Sequence, residues 1–405
     1  MNREPLVYII TNSYPEEKTM FSTYEFESVL DNYKNFRILS FSGYKNNKNK
    51  KNIIYLDLID GIKELFFPTK IKSIAAHLRL FKHIKSIKLM DFIKNIYSYL
   101  MALSILRNVE IKTDDLLFSY WLTRSSLIAF YLNKLIENEY ICQGHGSDIY
   151  IYPPGKIKKI LDSSKKIITV ADNNHNFICN KYSISKEKVK VFRLGVSQEF
   201  YNEILEHKKD LIVQEDNQKV KFLTVARYES VKGIDILLDA INLLVKTKKI
   251  RHNIEFNIYG DGSKYNDYKD FIEKNNLQKY ISLNKWINRK TLALELSRSN
   301  CYILPSRSEG LPVALMEACA ASLPIIATNV GSVREIAINN YNAIMCNEVN
   351  AVSLCESIND FLNLDKQKVE NLSFSSSKVF QKNYILEKNL KEKYEYIQNF
   401  INNTD

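Results

Sequence analysis

The feature that most constrains this chain is a rhythm that starts at residue 219. Short β-branched runs at 219–226, 254–259, 281–286, 301–304, 324–328 and 343–346 alternate with helical patterns. The helices begin at 233 and after 263, and continue at 289–297, 312–321, 332–337 and 352–362. Strands separated by helices return in the same direction, so the pattern specifies a doubly wound, mostly parallel sheet. Runs at 6–11, 37–41, 53–56, 116–120, 140–143, 167–170 and 189–193 repeat the theme with larger insertions. The expected fold is therefore α/β, with two Rossmann-like domains facing one another, 1–197 and 198–379. The segment 380–405 reads as a C-terminal helix that closes the second domain or returns to the first. Residues 197–218 read as a polar linker and 45–52 as a solvated loop.

Length and composition agree with two globular cores: 405 residues, 45% of them hydrophobic. The N-terminal polar residues run into a short apolar strand without a long apolar region or cleavage site, which argues against secretion. Lys and Arg interrupt each apolar stretch before it reaches about 20 residues, including 87–106, so no bilayer span is expected. The six cysteines stand singly, never as C-x-x-C, and several fall in apolar runs, which argues against a zinc site or a disulfide framework. A formal charge of +11 favours an anionic partner without choosing among nucleic acid, membrane and phosphorylated small molecules.

The chemistry concentrates at 305–318, Pro-Ser-Arg-Ser-Glu-Gly-Leu-Pro-Val-Ala-Leu-Met-Glu-Ala. An apolar strand feeds a helix there, with Pro312 at about the first helical position. The N–H groups of such a terminus suit an anion, so Gly310 and Leu311 can donate to a diphosphate oxygen. Glu309 and Glu317 are separated by roughly 8–12 Å at the helical rise, which fits the two ends of one ligand. A carboxylate accepts two hydroxyls, so Glu317 suits a ribose diol and Glu309 the hydroxyls of a sugar. Isolated, the two would read as surface charges.

A second anion site is expected at 224–234. Arg227 leaves the strand and Lys232 reaches the next helix start, both at the carboxyl edge of the sheet, where a diphosphate can be neutralised. A solvated basic loop is the alternative. Gly260, Asp261 and Gly262 form a tight turn by composition. Trp286 and Ile287 can flank a nucleobase or belong to the core. In the first half, Gln-Gly-His-Gly-Ser-Asp at 143–148 ends a strand and lifts His145 out of it. His145 can donate to a phosphate or sugar hydroxyl, or share a proton with Asp148, or be structural.

These residues, in this order, resemble glycosyltransferase family 4, the retaining enzymes of GT-B fold. The E-x7-E frame at Glu309 and Glu317, Arg227 with Lys232-Gly233, His145-Gly146 with Asp148, and 193–196 carry the resemblance, which is strongest over 219–347. It implies a retaining hexosyltransferase using a nucleotide sugar, UDP- or GDP-linked, with no required metal and no other cofactor. Arg227 and Lys232 are then expected on the diphosphate, Glu317 on the ribose, Glu309 on the donor sugar and His145 near the reacting centre. No nucleophile is placed, and the family-implied route is front-face transfer in which the leaving phosphate takes the acceptor proton. Two departures stand out. A Gly-Gly loop common after the first strand is replaced by 11–19, closer to a subgroup linked to exopolysaccharide and O-antigen assembly, and Ala226 takes the place of a usual Gly. The resemblance implies a saccharide or lipid-linked saccharide acceptor in cell-surface polysaccharide, lipopolysaccharide or capsule synthesis. A catalytically silent nucleotide- or sugar-binding protein on the same scaffold is the alternative.

The stretch 68–94 mixes Ile, Leu and Phe with Lys70, Lys72, Arg79, Lys82, Lys85, Lys88 and Lys94. Such a helix can lie on an anionic membrane surface, or pack its apolar side inward with the lysines in water. A cytoplasmic protein, peripheral at the inner face of the membrane, is the corresponding expectation. No nucleic-acid motif accompanies the basic charge, so nucleic acid is not an expected partner.

Overall fold

The computed structural model describes residues 3–15, 20–42, 52–69, 89–212, 219–247 and 253–402. The chain forms two compact units, Met1–Phe192 with Leu390–Asp405, and Arg193–Asn389. Each is a parallel α/β sheet.

The first unit contains β1 (Val7–Thr11), β2 (Phe36–Ser40), β3 (Ile53–Tyr55), β4 (Leu116–Ser119), β5 (Tyr140–Gly144), β6 (Lys166–Thr169) and β7 (Val189–Val191). Their order in the sheet is β3-β2-β1-β4-β5-β6-β7. The second unit contains β8 (Lys219–Val225), β9 (Asn253–Tyr259), β10 (Ile281–Asn284), β11 (Cys301–Leu304), β12 (Ile325–Thr328) and β13 (Ala343–Cys346). They are ordered β10-β9-β8-β11-β12-β13. In both sheets the chain winds outward from a central pair, β1/β4 and β8/β11, and the crevice beyond the carboxyl ends of that pair is where such sheets take ligands.

β1, β4 and β11 are buried along their whole length, and β8 over Phe222–Thr224, because helices cover both faces of a parallel sheet. Neighbouring residues of β8 show this: Phe222 joins one buried cluster with Ile234, Leu237, Leu238 and Ile241, while Leu223 joins another with Leu315, Met316 and Cys319. In the helix Ile234–Lys246, buried Ile234, Leu237, Leu238, Ile241 and Leu244 recur at helical spacing and form the stripe that docks on the sheet.

Several sequence expectations need correction. The supposed linker contains a helix, Gln198–Ile212, whose Phe200 and Ile204 are fully buried; a narrow apolar stripe in a polar segment was enough to dock it. The boundary falls at 192/193 because Arg193 pairs with Glu335 at 3.8 Å, Val196 bridges Ile385, and Asn389 donates to the Leu194 carbonyl at 3.0 Å. Residues 332–337 form a 3₁₀ turn, Val333–Glu335, instead of a helix. The C-terminal stretch is two helices, Lys366–Asn383 and Leu386–Asn402, interrupted where residues 384–386 pair with Val196.

Among the described residues one helix, Leu89–Asn108, is long and apolar enough to cross a membrane by length and composition, contrary to the expectation for 87–106; half of its apolar window is buried in the fold. Tyr99, Met101, Ala102, Leu103, Ile105 and Leu106 belong to the core of the first unit. Residues 70–88, most of the basic stretch, and 43–51, most of the expected solvated loop, lie outside the described residues.

Candidate functional site

In the second unit, β8 and β11 each end in a loop that reaches the other. Gly233 starts the helix Ile234–Lys246 with φ +66°, and a Cβ there would lie 2.0 Å from the Pro305 carbonyl oxygen. Only glycine fits both the left-handed backbone and that approach. Arg307 locks the junction, donating to both Asp235 carboxylate oxygens at 2.8 and 2.6 Å and to the Ser230 carbonyl at 2.6 Å. Its hydrogen bonds hold the Asp235 carboxyl below its usual range. Arg307 is therefore a strut between the two loops.

The junction brings Lys232 onto Glu309. Lys232 Nζ lies 2.7 Å from Glu309 Oε1, and Ser306 Oγ donates to the same oxygen at 2.6 Å. The Glu309 side chain is only 7% exposed, so both donors restrict its rotamer in a poorly solvated place. Gly331, at φ +52°, closes the other side, where a Cβ would lie 1.9 Å from the Glu309 carbonyl oxygen. Lys232 and Glu309, assigned by sequence to different parts of a ligand, are thus direct partners.

Glu317 lies on the helix Val313–Ala320, whose other face, Leu315, Met316 and Cys319, is buried. Pro312 is the residue that caps this helix, one position before the first helical residue. Burial pushes the Glu317 carboxyl up to about 7, with the Arg289 guanidinium opposing. Arg289 itself stacks over the Phe200 ring at 4.1 Å and donates to Ser197 Oγ at 3.0 Å. Gly310 and Leu311 are half-buried between the two glutamates. Arg227 is 61% exposed and reaches Glu229 at 3.4 Å. Beyond the end of β10, Trp286 is 60% exposed, which removes the core reading for that residue, while Ile287 packs against the second core. Gly260 and Gly262 are close-approach positions: a Cβ would lie 1.9 Å from the Ala226 carbonyl oxygen in the first case and 2.6 Å from that of Tyr228 in the second.

In the first unit, Asp148 is the end of a turn and not a proton partner. Its Oδ1 accepts from the backbone N–H of His145 and Gly146 at 2.9 and 2.8 Å, and Oδ2 from that of Leu122 at 3.0 Å. His145 Nδ1 stands 4.0 Å from Oδ2, beyond hydrogen-bond distance, so the expectation of a shared proton is corrected. His145 is 8% exposed, with the Trp121 ring centroid at 4.0 Å and that of Tyr120 at 5.0 Å. Burial, reinforced by Lys393, holds its pKa well below 6.5, so the imidazole is neutral at pH 7. A Cβ on Gly144 would crowd Leu122 and Ile149.

Residues 206–375 match the family described as Glycosyl transferases group 1. The matched residues all lie within the second unit. An uncharacterised glycosyltransferase of Methanocaldococcus jannaschii is 28% identical over 364 residues, 87% of this chain and 86% of that protein. The amylovoran biosynthesis glycosyltransferase AmsK of Erwinia amylovora is 28% identical over 174 residues, 42% of this chain and 40% of that one. Among solved structures, a glycosyltransferase of Rickettsia africae superposes over both full chains with a TM-score of 0.72 at 18% identity. HepE of Anabaena, in complex with UDP and glucose, superposes over 98% of this chain and 100% of its own with a TM-score of 0.63 at 13% identity. The two Rossmann-like units thus make a GT-B fold.

Within the second unit, the geometry adds residues to which sequence reasoning gave no role: Ser306, Arg307, Asp235, Arg289 and Gly331. Ser306 and Arg307 stood inside the quoted motif, but their partners are remote in sequence or invisible to spacing. In the first unit it adds Gln143, which lies inside β5 two residues before His145 and reaches its ring.

Proposed function

We propose that this chain is a retaining glycosyltransferase that moves a hexose from a nucleotide sugar to a saccharide or lipid-linked saccharide in cell-surface polysaccharide assembly. The observation that carries the proposal is the set at the β8/β11 switch point. Lys232 and Glu309 are paired there, with the Gly310 helix entry and Glu317 following in one continuous segment. Lys232 and Arg227 would meet the diphosphate, with the N–H groups of Gly310 and Leu311 beside them. Glu317 would accept the ribose diol and Glu309 the hydroxyls of the transferred sugar. Trp286, exposed beside Ile287, offers a face for the base. The complex of HepE with UDP and glucose favours a uridine diphosphate donor. The amylovoran relative favours a polysaccharide product.

In this reading no metal is needed, because Arg227, Lys232 and the helix entry supply the positive charge that grows in value as the phosphate departs. His145, neutral, acts as a hydrogen-bond donor in the first unit, and the departing phosphate receives the acceptor proton. The protein would work in the cytoplasm at the inner face of the membrane. Leu89, Met90 and Ile93 are exposed beside Lys94 at the start of the helix Leu89–Asn108, and an anionic bilayer suits that combination together with the +11 charge.

The test is nucleotide release from UDP-glucose, UDP-galactose, UDP-N-acetylglucosamine and GDP-mannose, with lipid extracts as acceptor source and calorimetry for binding. Release from at least one donor is expected, and its loss in Glu309→Gln. Failure of all four to bind would sink the proposal, and binding without release would identify a silent sugar-nucleotide binder instead.

A further inference from the structure

A buried polar chain runs from the C-terminal helix to His145, all within the first unit. Lys393, 3% exposed, pairs with Glu25, which is 1% exposed. Tyr120 and Tyr394 both donate to the Glu25 carboxylate, at 2.6 Å each. Lys393 Nζ also donates to Gln143 Oε1 at 3.2 Å, and Gln143 Nε2 lies 2.8 Å from His145 Nε2.

Donor and acceptor counting fixes the protons along this chain. An ammonium has only donors, so Gln143 must turn its oxygen to Lys393; a flipped amide would set two donors face to face. Its nitrogen then faces the ring, and an amide nitrogen can only donate. His145 Nε2 must therefore accept, which leaves the proton of a neutral imidazole on Nδ1. We propose that Lys393, acting through Gln143, is a positioning residue that fixes His145 as the Nδ1–H tautomer.

The consequence deepens the proposed function and rests on it. With Nε2 engaged by Gln143 and Nδ1 protonated, the ring has no lone pair left with which to take a proton. His145 can therefore present an N–H but cannot serve as a general base, and the acceptor proton must leave by another route, such as the departing phosphate. The groups facing Lys393 are Glu25, Tyr120, Gln143 and Tyr394, and its ammonium also lies 5.5 and 4.9 Å from the Tyr120 and Tyr394 ring centres. Burial lowers the Lys393 pKa and Glu25 opposes that shift. The ion pair favours the charged form that orients Gln143.

The experiment is long-range proton–nitrogen NMR on full-length protein with nitrogen-labelled histidine, His145 being assigned with His145→Gln. In the wild type a pyrrole-type Nδ1 and a pyridine-type Nε2 are expected, unchanged from pH 6 to 8. Lys393→Met should release this state into a mixture or a titrating ring, and Lys393→Arg should keep it. Gln143→Met, which leaves the Lys393–Glu25 pair intact, should also release it, and serves should Lys393→Met not fold. A wild-type proton on Nε2, or an unchanged ring in the released variants, overturns the proposal. In turnover, His145→Asn, whose amide nitrogen mimics Nδ1, should outperform His145→Gln, which mimics Nε2 and should lose on the order of 100-fold in kcat. The ring spectra need no substrate, so the tautomer can fail while glycosyl transfer stands, and the reverse.

Discussion

Lys232 Nζ and Glu309 Oε1 stand 2.7 Å apart, although their residues lie 77 positions apart in the chain. Two charges that share one rotamer-locked contact cannot be changed independently. Glu309→Gln should lower glycosyl transfer by on the order of 100-fold while nucleotide binding survives. Lys232→Met should weaken both. The double variant should lose less than the sum of the two in ΔΔG‡, read from kcat/KM in a double-mutant cycle; strict additivity would mean the pair is incidental.

With its carboxyl raised, Glu317 is expected to make nucleotide affinity depend on pH. Its carboxyl titrates near 7 in the folded chain against 4.5 in the reference state. Between those values the unfolded chain releases the proton that the folded chain keeps, so stability falls as pH rises and levels off above 7. The whole change is up to about 3 kcal/mol. A ribose diol needs the ionised form, so affinity for UDP should rise by up to about tenfold from pH 6 to 8. Glu317→Gln should flatten both the denaturation and the calorimetric profiles, apart from the phosphate's own titration.

Gly331→Ala tests the wall behind Glu309. The left-handed backbone costs about 1 kcal/mol for alanine, and the contact with the Glu309 carbonyl adds to it. Transfer should fall more than nucleotide affinity, because the displaced carboxylate is the one assigned to the sugar. Equal loss in both would place Gly331 outside the sugar end of the site.

Sedimentation with vesicles tests the membrane reading. Binding to vesicles containing phosphatidylglycerol should exceed binding to neutral vesicles, and Leu89→Ser with Ile93→Ser should weaken it. Equal recovery with both lipids at low salt would remove the membrane from the account.

The fold was legible because it rests on local periodicity. Each strand pattern lies within two residues of a strand, and the break at β8 followed by its helix needed only Gly233 and the apolar stripe from Ile234 to Leu244. The helix Gln198–Ile212 escaped because, among its described side chains, Phe200 and Ile204 are the fully buried ones and stand among charged neighbours. In the candidate site, residue types at a strand end pointed to Lys232, Glu309 and Glu317, but spacing carries no information about which side chains touch. The Arg307–Asp235 strut spans 72 positions and the Lys393–Gln143 contact spans 250, so both are products of topology alone. Asp148 was misread for the opposite reason. A histidine stands three residues before it, but three backbone N–H groups lie closer to its oxygens.

The chain leaves the first unit at Phe192 and re-enters it at Leu390, so the second unit is an insert between two pieces of its companion. A chimaera that exchanges this domain with a relative's therefore needs two splice points. A single cut near 192 would import a foreign terminal helix, and with it whatever that relative carries in place of Lys393 and Tyr394. Glu25 would then be left to a stranger's side chains, and His145 to a stranger's tautomer.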